Sequence, residues 1–192
     1  MRIIGGSAKR KILADFSGER IRPTSDRVRE ALFSILVSQI GSFEGKTVLD
    51  LFAGTGALGL EALSRGAKSA FLVDQEAQAA RLIATNIQTC NFQEKAHFLR
   101  GDVLKKLPEL SERGPFDLIF LDPPYGLGLV KTTLDAIADL GLLAENGIAC
   151  TEASSLDVLP DRTGDLGCIL NRRYGTTLIA LYSLSDKKAG PL

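Results

Sequence analysis

Short apolar runs alternate with segments of helical periodicity along most of the chain. Strands are predicted for residues 47–51, 69–73, 96–100 and 116–121 and near 147–151. Helices are predicted between them, ending near Gly66 and then covering about 76–90, 103–110 and 129–140. This alternation predicts an α/β protein with a mostly parallel, doubly wound sheet and helices on both of its faces.

The two ends of the chain break this alternation. Residues 2–16 have little helical periodicity and predict a short strand or hairpin, and a helix then runs to about residue 40 with Thr24 or Ser25 as its N-cap. Residues 168–172 and 176–183 predict a C-terminal antiparallel hairpin around Gly175. We therefore expect an N-terminal extension over residues 1–40, a main domain over 41–185 and a frayed tail over 186–192.

Length and composition favour an ordinary globular enzyme or binding domain. The chain has 192 residues, of which 45% are hydrophobic and 24% are charged, enough for a full core. It has no apolar run near the roughly 20 residues of a membrane span, and its first residues lack the apolar region of a signal peptide. A cytoplasmic protein without a membrane partner is expected.

The net charge is zero, but the charge is polarised along the chain. Residues 1–29 contain eight basic and three acidic side chains, a net charge of +5, so the remaining residues carry −5. Such a basic arm is typical of a phosphate-contacting footprint. An ordinary solvated tail would give the same count. The candidate nucleic-acid contacts are Arg2, Lys9, Arg10, Lys11, Arg22, Thr24, Arg27 and Arg29.

A glycine-rich turn follows the first predicted strand of the main domain. Its spacing, Gly54-x-Gly56-x-x-Gly59, suits a nucleotide cofactor, and Asp74 ends the next strand, where an acid binds ribose hydroxyls. NAD and S-adenosyl-L-methionine enzymes share this pattern. Asp50 favours S-adenosyl-L-methionine, because a carboxylate suits the ammonium of a methionine moiety and disfavours a pyrophosphate. The candidate cofactor residues are Asp50, Phe52, Ala53, Gly54, Thr55, Gly56, Gly59, Asp74, Gly101 and Asp102.

The tetrad Asp122-Pro123-Pro124-Tyr125 follows the predicted strand 116–121. Prolines offer carbonyl acceptors without competing N–H donors, so the Asp122 carboxylate and the Pro123 carbonyl could hold both N–H groups of an exocyclic amine. Tyr125 could stack on the base that carries this amine. The pattern favours methylation of a base amine, with these four residues as the catalytic set. A tight turn after a strand remains the simpler reading of Asp-Pro-Pro alone.

These motifs together resemble the RsmD family of bacterial 16S rRNA (guanine-N2)-methyltransferases. The resemblance extends through most of the chain and is carried by residues 2–6, 22–33, 50–59, Asp74 and 122–125. It implies a Rossmann-like class I S-adenosylmethionine-dependent methyltransferase fold, with a seven-stranded sheet, a C-terminal hairpin and a small basic appendage. It also implies methylation of one guanine, at position 966 in customary numbering, on the assembling or assembled small subunit.

The resemblance implies S-adenosyl-L-methionine as the methyl donor. We expect no metal and a monomeric enzyme. Two other functions remain open at this point. The tetrad also serves adenine-N6 methyltransferases on DNA, although the chain offers no evident separate target-recognition domain. A nonenzymatic RNA-binding assembly factor would use the glycine loop only for regulation, and would leave the tetrad unexplained.

Overall fold

The computed structural model describes residues 1–16, 26–124 and 128–185. The chain divides into two compact units, Met1–Lys106 and Leu107–Leu192, so the division does not fall at the boundary expected after residue 40. Among the residues predicted to form the site, Arg22, Thr24 and Tyr125 lie outside the described ranges, as does the tail over residues 186–192.

The first unit contains three strands, β1 Thr47–Leu51, β2 Ser69–Asp74 and β3 Ala96–Arg100. They are parallel and lie in the order β3-β2-β1. Thr47 of β1 pairs with Ser69 of β2, and Ala70 of β2 pairs with Ala96 of β3. The helices are α1 Asp26–Ile40, α2 Ala57–Ser64, α3 Ala77–Cys90 and α4 Val103–Ser111, with the division between the units inside α4. The strands lie within one residue of their predicted bounds, as do α1, α3 and α4.

The second unit contains five strands, β4 Phe116–Leu121, β5 Leu143–Ser154, β6 Arg162–Thr163, β7 Leu166–Tyr174 and β8 Thr177–Leu184. Their order is β4-β5-β8-β7-β6. Strand β4 is parallel to β5, and the β5–β8, β8–β7 and β7–β6 pairs are antiparallel, which confirms the predicted C-terminal hairpin. The described residues thus form eight strands rather than seven, because the two-residue β6 is too short to leave a periodic signal. Helix α5 covers Leu129–Asp139.

The apolar runs become the buried strands of each unit. Val48 and Leu49 are neighbours on β1 that point to opposite faces, and both are completely buried. Leu118 and Ile119 repeat this arrangement on β4. Burial on both faces explains why these strands are continuously apolar instead of alternating. The helices among the described residues are too short or too polar for any of them to cross a membrane.

The first sixteen residues pack against α2 through a buried carboxylate. Glu61 of α2 is completely buried, and its two oxygens accept the backbone N–H groups of Ile4 and Gly5 at 2.7 and 2.9 Å. Arg65, one helical turn later, donates to the same carboxylate at 2.7 Å. The segment is therefore an integral part of the first unit and not a solvated tail.

Ser64 makes a second attachment to the same segment. Its Oγ accepts the N–H of Ala8 at 2.9 Å and donates to the carbonyl of Gly5, while its own carbonyl accepts the N–H of Ser7 at 2.7 Å. Gly6 has a φ of +75°, and a β-carbon at this position would overlap the Ser64 carbonyl oxygen. The Gly5-Gly6 pair is thus explained by the close approach of the segment to α2.

Arg29 was predicted to contact RNA, but the structure places it inside the protein. It is only 1% exposed on α1, and its guanidinium donates to the carbonyl of Arg2 and to Asp26. These bonds hold the guanidinium on partners of its own chain, where α1 meets the N-terminal segment. Arg29 instead fastens α1 to the N-terminal segment, and the prediction of a phosphate contact at this residue is wrong for this structure.

Replacement of Glu61 by Ala should strongly destabilise the protein. The change leaves the partly buried N–H groups of Ile4 and Gly5 without their acceptor and removes the partner of Arg65. Breaking a buried charged pair typically lowers the free energy of unfolding by about 3–5 kcal/mol. Urea denaturation followed by circular dichroism measures this loss.

Glu94→Ala is the matched control, because Glu94 is exposed. It should change the free energy of unfolding by less than about 0.5 kcal/mol, as exposed substitutions usually do. A Glu61→Ala protein as stable as this control would show that the attachment to α2 contributes little to folding.

Candidate active site

The predicted cofactor residues of the first unit gather at one edge of its sheet. Asp50 lies near the end of β1, Asp74 is the last residue of β2, and Gly101 follows β3 directly. Because the three strands are parallel and in register, their carboxyl ends share this edge, which is where ligands bind in open α/β sheets.

The loop between β1 and α2 has the tight backbone that its glycines predict. Gly54 and Gly56 have φ values of +56° and +77°, and Phe52, a non-glycine residue, has a φ of +63°. The loop is held by the N–H of Ala53, which donates to Val73 at 2.9 Å. A left-handed Phe is uncommon and is maintained only where surrounding contacts require it, often at ligand sites.

Asp74 supports the glycine loop through its carboxylate. Its Oδ2 accepts the N–H of Gly54 at 2.8 Å, and its Oδ1 accepts the N–H of Glu76 at 2.8 Å. Its carbonyl accepts the N–H of Gly101 at 3.0 Å, which links the ends of β2 and β3. The side chain remains partly exposed, and an ionised carboxylate has about four lone-pair sites, so acceptor capacity is left for a ligand hydroxyl.

Asp50 lies deeper than the other acids. It is 1% exposed, and its Oδ2 accepts the N–H of Gly59 at 2.8 Å. Burial raises the pKa of Asp50 to about 8; the Gly59 hydrogen bond opposes this shift, and the nearby Asp74 charge adds to it. In the absence of a ligand, the group is therefore mostly protonated at neutral pH, and a cation placed beside it would favour its ionised form.

Asn86 is a residue of this site that sequence reasoning missed. It is completely buried on α3, and its Nδ2 donates to the carbonyl of Thr55 at 2.9 Å and to that of Ala14 at 3.0 Å. Its Oδ1 accepts the N–H of Ala14 at 2.7 Å. One amide thus ties the glycine loop to the N-terminal segment. No local motif marks it, because its partners lie 31 and 72 residues away.

Thr55 and Asp102 have structural contacts of their own. Thr55 is buried, with its Oγ1 3.6 Å from the sulfur of Met1, and Asp102 is exposed and accepts the N–H of Lys105 at 3.1 Å in the first turn of α4. Their proposed contacts with the cofactor stay predictions.

In the second unit, Asp122 directly follows the carboxyl end of β4, which is parallel to β5. Asp122 is partly exposed, Pro123 is buried and Pro124 is exposed. Neither proline has an N–H, so the carbonyls of Asp122 and Pro123 are each followed by a residue that offers no backbone donor. This arrangement suits a ligand that donates hydrogen bonds, as an exocyclic amine does.

The remaining basic residues of the N-terminal region differ in their availability. Lys9, Arg10 and Lys11 are exposed in the turn between Arg2 and Ile12, which form an antiparallel bridge. Arg27 is also exposed. Arg2 is exposed but pairs with Asp26 at 3.1 Å. The three adjacent residues of the turn are thus the most concentrated positive surface of the segment.

Comparisons with known proteins identify the class of this fold. Putative methyltransferase yhhF of Escherichia coli superposes with a TM-score of 0.82 at 31% identity, over 96% of this chain and 99% of that one. SMU.776, solved in complex with SAH, superposes with a TM-score of 0.64 at 17% identity, over 84% of this chain and 50% of that one, which supports the fold alone. The chain has the Rossmann-like fold of S-adenosylmethionine-dependent methyltransferases, as predicted.

The sequence comparisons narrow this class to one family. The family model described as conserved hypothetical protein 95 matches residues 1–183. Ribosomal RNA small subunit methyltransferase D of Escherichia coli K12 is 36% identical over 161 residues, which are 83% of this chain and 78% of that protein. The chain belongs to this family, the RsmD family.

Asp50→Asn should remove a pH dependence from the stability of the ligand-free protein. The unfolded chain releases the Asp50 proton near pH 3.8, whereas the folded protein keeps it to about pH 8. Since the folded state binds the extra proton between these values, wild-type stability should fall as pH rises through this window, by an amount on the order of a few kcal/mol. Asn keeps an acceptor for Gly59 but cannot ionise.

Urea denaturation of both proteins at pH 5 and pH 8 measures the effect. The variant should gain stability relative to the wild type as the pH is raised. Parallel pH profiles of the two proteins would show that Asp50 ionises normally in the fold.

Proposed function

We propose that this protein is a cytoplasmic enzyme that transfers a methyl group from S-adenosyl-L-methionine to the N2 amine of one guanine of 16S rRNA, at position 966 in customary numbering. The substrate is the assembling or assembled small ribosomal subunit, and the enzyme acts as a monomer without a metal. The observation that carries this proposal is the position of Asp122-Pro123-Pro124 directly after the carboxyl end of β4, in a chain whose E. coli relative is named for small-subunit rRNA.

The first unit supplies the residues that would hold the methyl donor. In this proposal Asp74 accepts the ribose hydroxyls, and the glycine loop offers close backbone approach to the rest of the molecule. Asp50 provides the carboxylate for the methionine ammonium. Because Asp50 is buried, its ionised carboxylate is poorly solvated and is favoured only when a cation lies beside it. An ammonium meets this requirement, and a neutral or anionic group does not. The donor supplies an electrophilic methyl on sulfonium.

The second unit supplies the residues that would position the amine. The lone pair of the guanine N2 group is delocalised into the ring, so the amine is a weak nucleophile. Asp122 and the Pro123 carbonyl would accept its two N–H groups and orient its nitrogen, which lowers the entropic part of the barrier. As the N–C bond forms, the bond between the methyl and the sulfonium sulfur would break and leave a neutral thioether. The acceptors would stabilise the positive charge that develops on nitrogen, and one N–H proton would pass to the Asp122 carboxylate. Tyr125 is proposed to stack on the base.

The N-terminal segment supplies the proposed RNA contact. Lys9, Arg10 and Lys11 lie exposed in one turn of a segment that is fastened to α2 by Glu61 and Ser64. A rigidly attached cationic turn fixes the register of a phosphate backbone as well as adding affinity. Further candidates are Arg22, Thr24 and Arg27. Arg2 is also a candidate, but it would have to exchange its partner Asp26 for a phosphate.

Asp122→Ala should lower the rate of methyl transfer and leave the affinity for S-adenosyl-L-methionine nearly unchanged. A residue that orients the amine acts on the reacting nitrogen and not on the donor. We expect a loss of roughly a hundredfold or more in single-turnover rate, as for other positioning and electrostatic groups. Labelled methyl transfer to purified small subunits, with nucleoside analysis of the product, measures the rate and identifies the base.

Asp74→Ala should mainly weaken the binding of S-adenosyl-L-methionine, in contrast to Asp122→Ala, which should mainly lower the transfer rate. Loss of charge-assisted hydrogen bonds of about 1.5–3 kcal/mol should weaken donor binding roughly tenfold to a hundredfold in titration calorimetry. Thermal denaturation of this variant is needed to detect a loss of stability, because Asp74 also accepts the N–H groups of Gly54 and Glu76.

An Asp122→Ala protein with the full transfer rate would show that the tetrad is only a structural turn.

Simultaneous replacement of Lys9, Arg10 and Lys11 by Gln should weaken binding to small subunits at low salt. Each phosphate contact that is lost should reduce the slope of log affinity against log salt by roughly 0.7–0.9. Donor affinity and thermal stability should stay near wild-type values, because all three side chains are exposed. Filter binding between about 50 and 200 mM salt measures the slope.

Deletion of the segment is a poor substitute for this triple variant. It would also remove the partners of Glu61, Ser64 and Asn86 and so unfold part of the first unit. Lys95→Gln, at an exposed position between α3 and β3, is the matched control for a generic loss of charge. An unaltered salt slope in the triple variant would place RNA recognition elsewhere.

A further inference from the structure

A small cavity of about 260 Å³ lies within the second unit, next to the prolines of the tetrad. It is bounded by the end of β4, the start of α5 and the loop that follows β5. Its volume lies just below the roughly 300–1,000 Å³ of typical small-molecule sites, which suits a single nucleobase. The lining includes Pro123, Pro124, Leu129, Lys131, Asp157 and Val158.

Asp157 brings a fixed carboxylate to this cavity. Its Oδ2 accepts the N–H of Ser154 at 2.9 Å, and its own N–H donates to the Ser154 carbonyl at 2.9 Å. These two bonds hold the residue against the end of β5. Its other oxygen, Oδ1, accepts no hydrogen bond from the described residues, so one acceptor of a positioned carboxylate is available to a ligand.

Lys131 of α5 also lines this cavity, and its side chain is exposed and long enough to turn its ammonium towards a ligand there. Its Nζ donates to Asp135 at 2.8 Å, one helical turn further along α5. An ammonium has three N–H donors, so this pair leaves donors for a second acceptor. The cavity therefore combines apolar lining residues, of which Pro124 and Val158 are exposed at its edge, with one acceptor group and one donor group, as base-binding pockets do.

This combination distinguishes the two purines. The Watson–Crick edge of guanine presents the O6 acceptor and the N1–H donor beside the N2 amine. Adenine presents a 6-amine donor and an unprotonated N1 acceptor. A carboxylate accepts from the N1–H of guanine but repels the lone pair of adenine N1, and an ammonium favours O6 over an amine. Both charged groups thus complement guanine and oppose adenine.

We infer that Asp157 is a specificity-determining residue that accepts the N1–H of the target guanine in this cavity, with Lys131 facing O6. The inference rests on the proposed function and names how that site would select its base. The loop that carries Asp157 has no part in the methyl transfer itself, and the inference assigns it a role in choosing the base.

The neighbours of Asp157 support an RNA-facing loop. Leu156 is 89% exposed and Val158 is 97% exposed, so two apolar side chains flank the carboxylate without packing into the core. Exposed apolar side chains at a nucleic-acid surface can contact base faces or occupy the gap left by a base taken out of its stack. The loop therefore offers both an edge contact and an apolar contact to the target nucleotide.

The test compares methyl transfer to reconstituted small-subunit particles that carry either guanine or 2,6-diaminopurine at the target nucleotide. Diaminopurine keeps the 2-amine but replaces O6 by an amine and N1–H by a lone pair. Wild-type enzyme should favour guanine roughly 10- to 100-fold, the range expected when a polar pocket meets mismatched partners. Asp157→Asn keeps an acceptor for Ser154 and can offer its amide N–H to diaminopurine N1, so it should reduce this preference roughly tenfold or more.

Asp161→Asn is the matched control, because Asp161 is exposed on the same loop but does not line the cavity. It should keep the wild-type preference, and both variants should bind S-adenosyl-L-methionine as the wild type does. An Asp157→Asn enzyme with the wild-type preference, or a wild type that methylates both particles equally, would overturn the inference while leaving the proposed function intact. A wild type that transfers no methyl to the guanine particle would overturn both.

Discussion

Two carboxylates hold the glycine-rich loop at its two ends, and the candidate donor site depends on them. Asp74 accepts the N–H of Gly54 where the loop turns, and Asp50 accepts the N–H of Gly59 inside the first turn of α2. A β-carbon at Gly59 would lie only 3.2 Å from Asp50 Oδ2, so the helix can approach the acid this closely because the residue is glycine. The loop is therefore preorganised by side chains that are also expected to meet the ligand.

Much of this arrangement could be predicted from local sequence. The strand ends at Leu51, Asp74 and Leu121 could be predicted because each apolar run is followed by glycine, an acid or proline within a few residues. In a parallel sheet the residues that follow the strands lie at one edge. The predicted acids consequently lie at strand ends in the structure. The C-terminal hairpin was predictable for the same reason, since two β-rich runs flank Gly175.

The residues that could not be predicted act through distant partners. Glu61, Ser64 and Asn86 lie inside helices whose sequence suggests nothing beyond amphipathic packing, and each bonds to backbone 56 or more residues away. Arg29 shows the opposite error, because charge counting treats every arginine as exposed, whereas this one is buried at the base of α1. Net charge along a segment describes composition, and only packing decides which charges face a partner.

Attachment of the N-terminal segment by side chains has a consequence for the motions of the chain. The N–H groups of Ile4, Gly5, Ala8 and Ala14 all donate to side chains of α2 or α3 instead of to a partner strand. They can exchange with solvent only when those helices release them, so the segment belongs to the same cooperative unit as the glycine loop. Because Asn86 bonds both Thr55 of that loop and Ala14 of the segment, we expect the loop and the segment to open together.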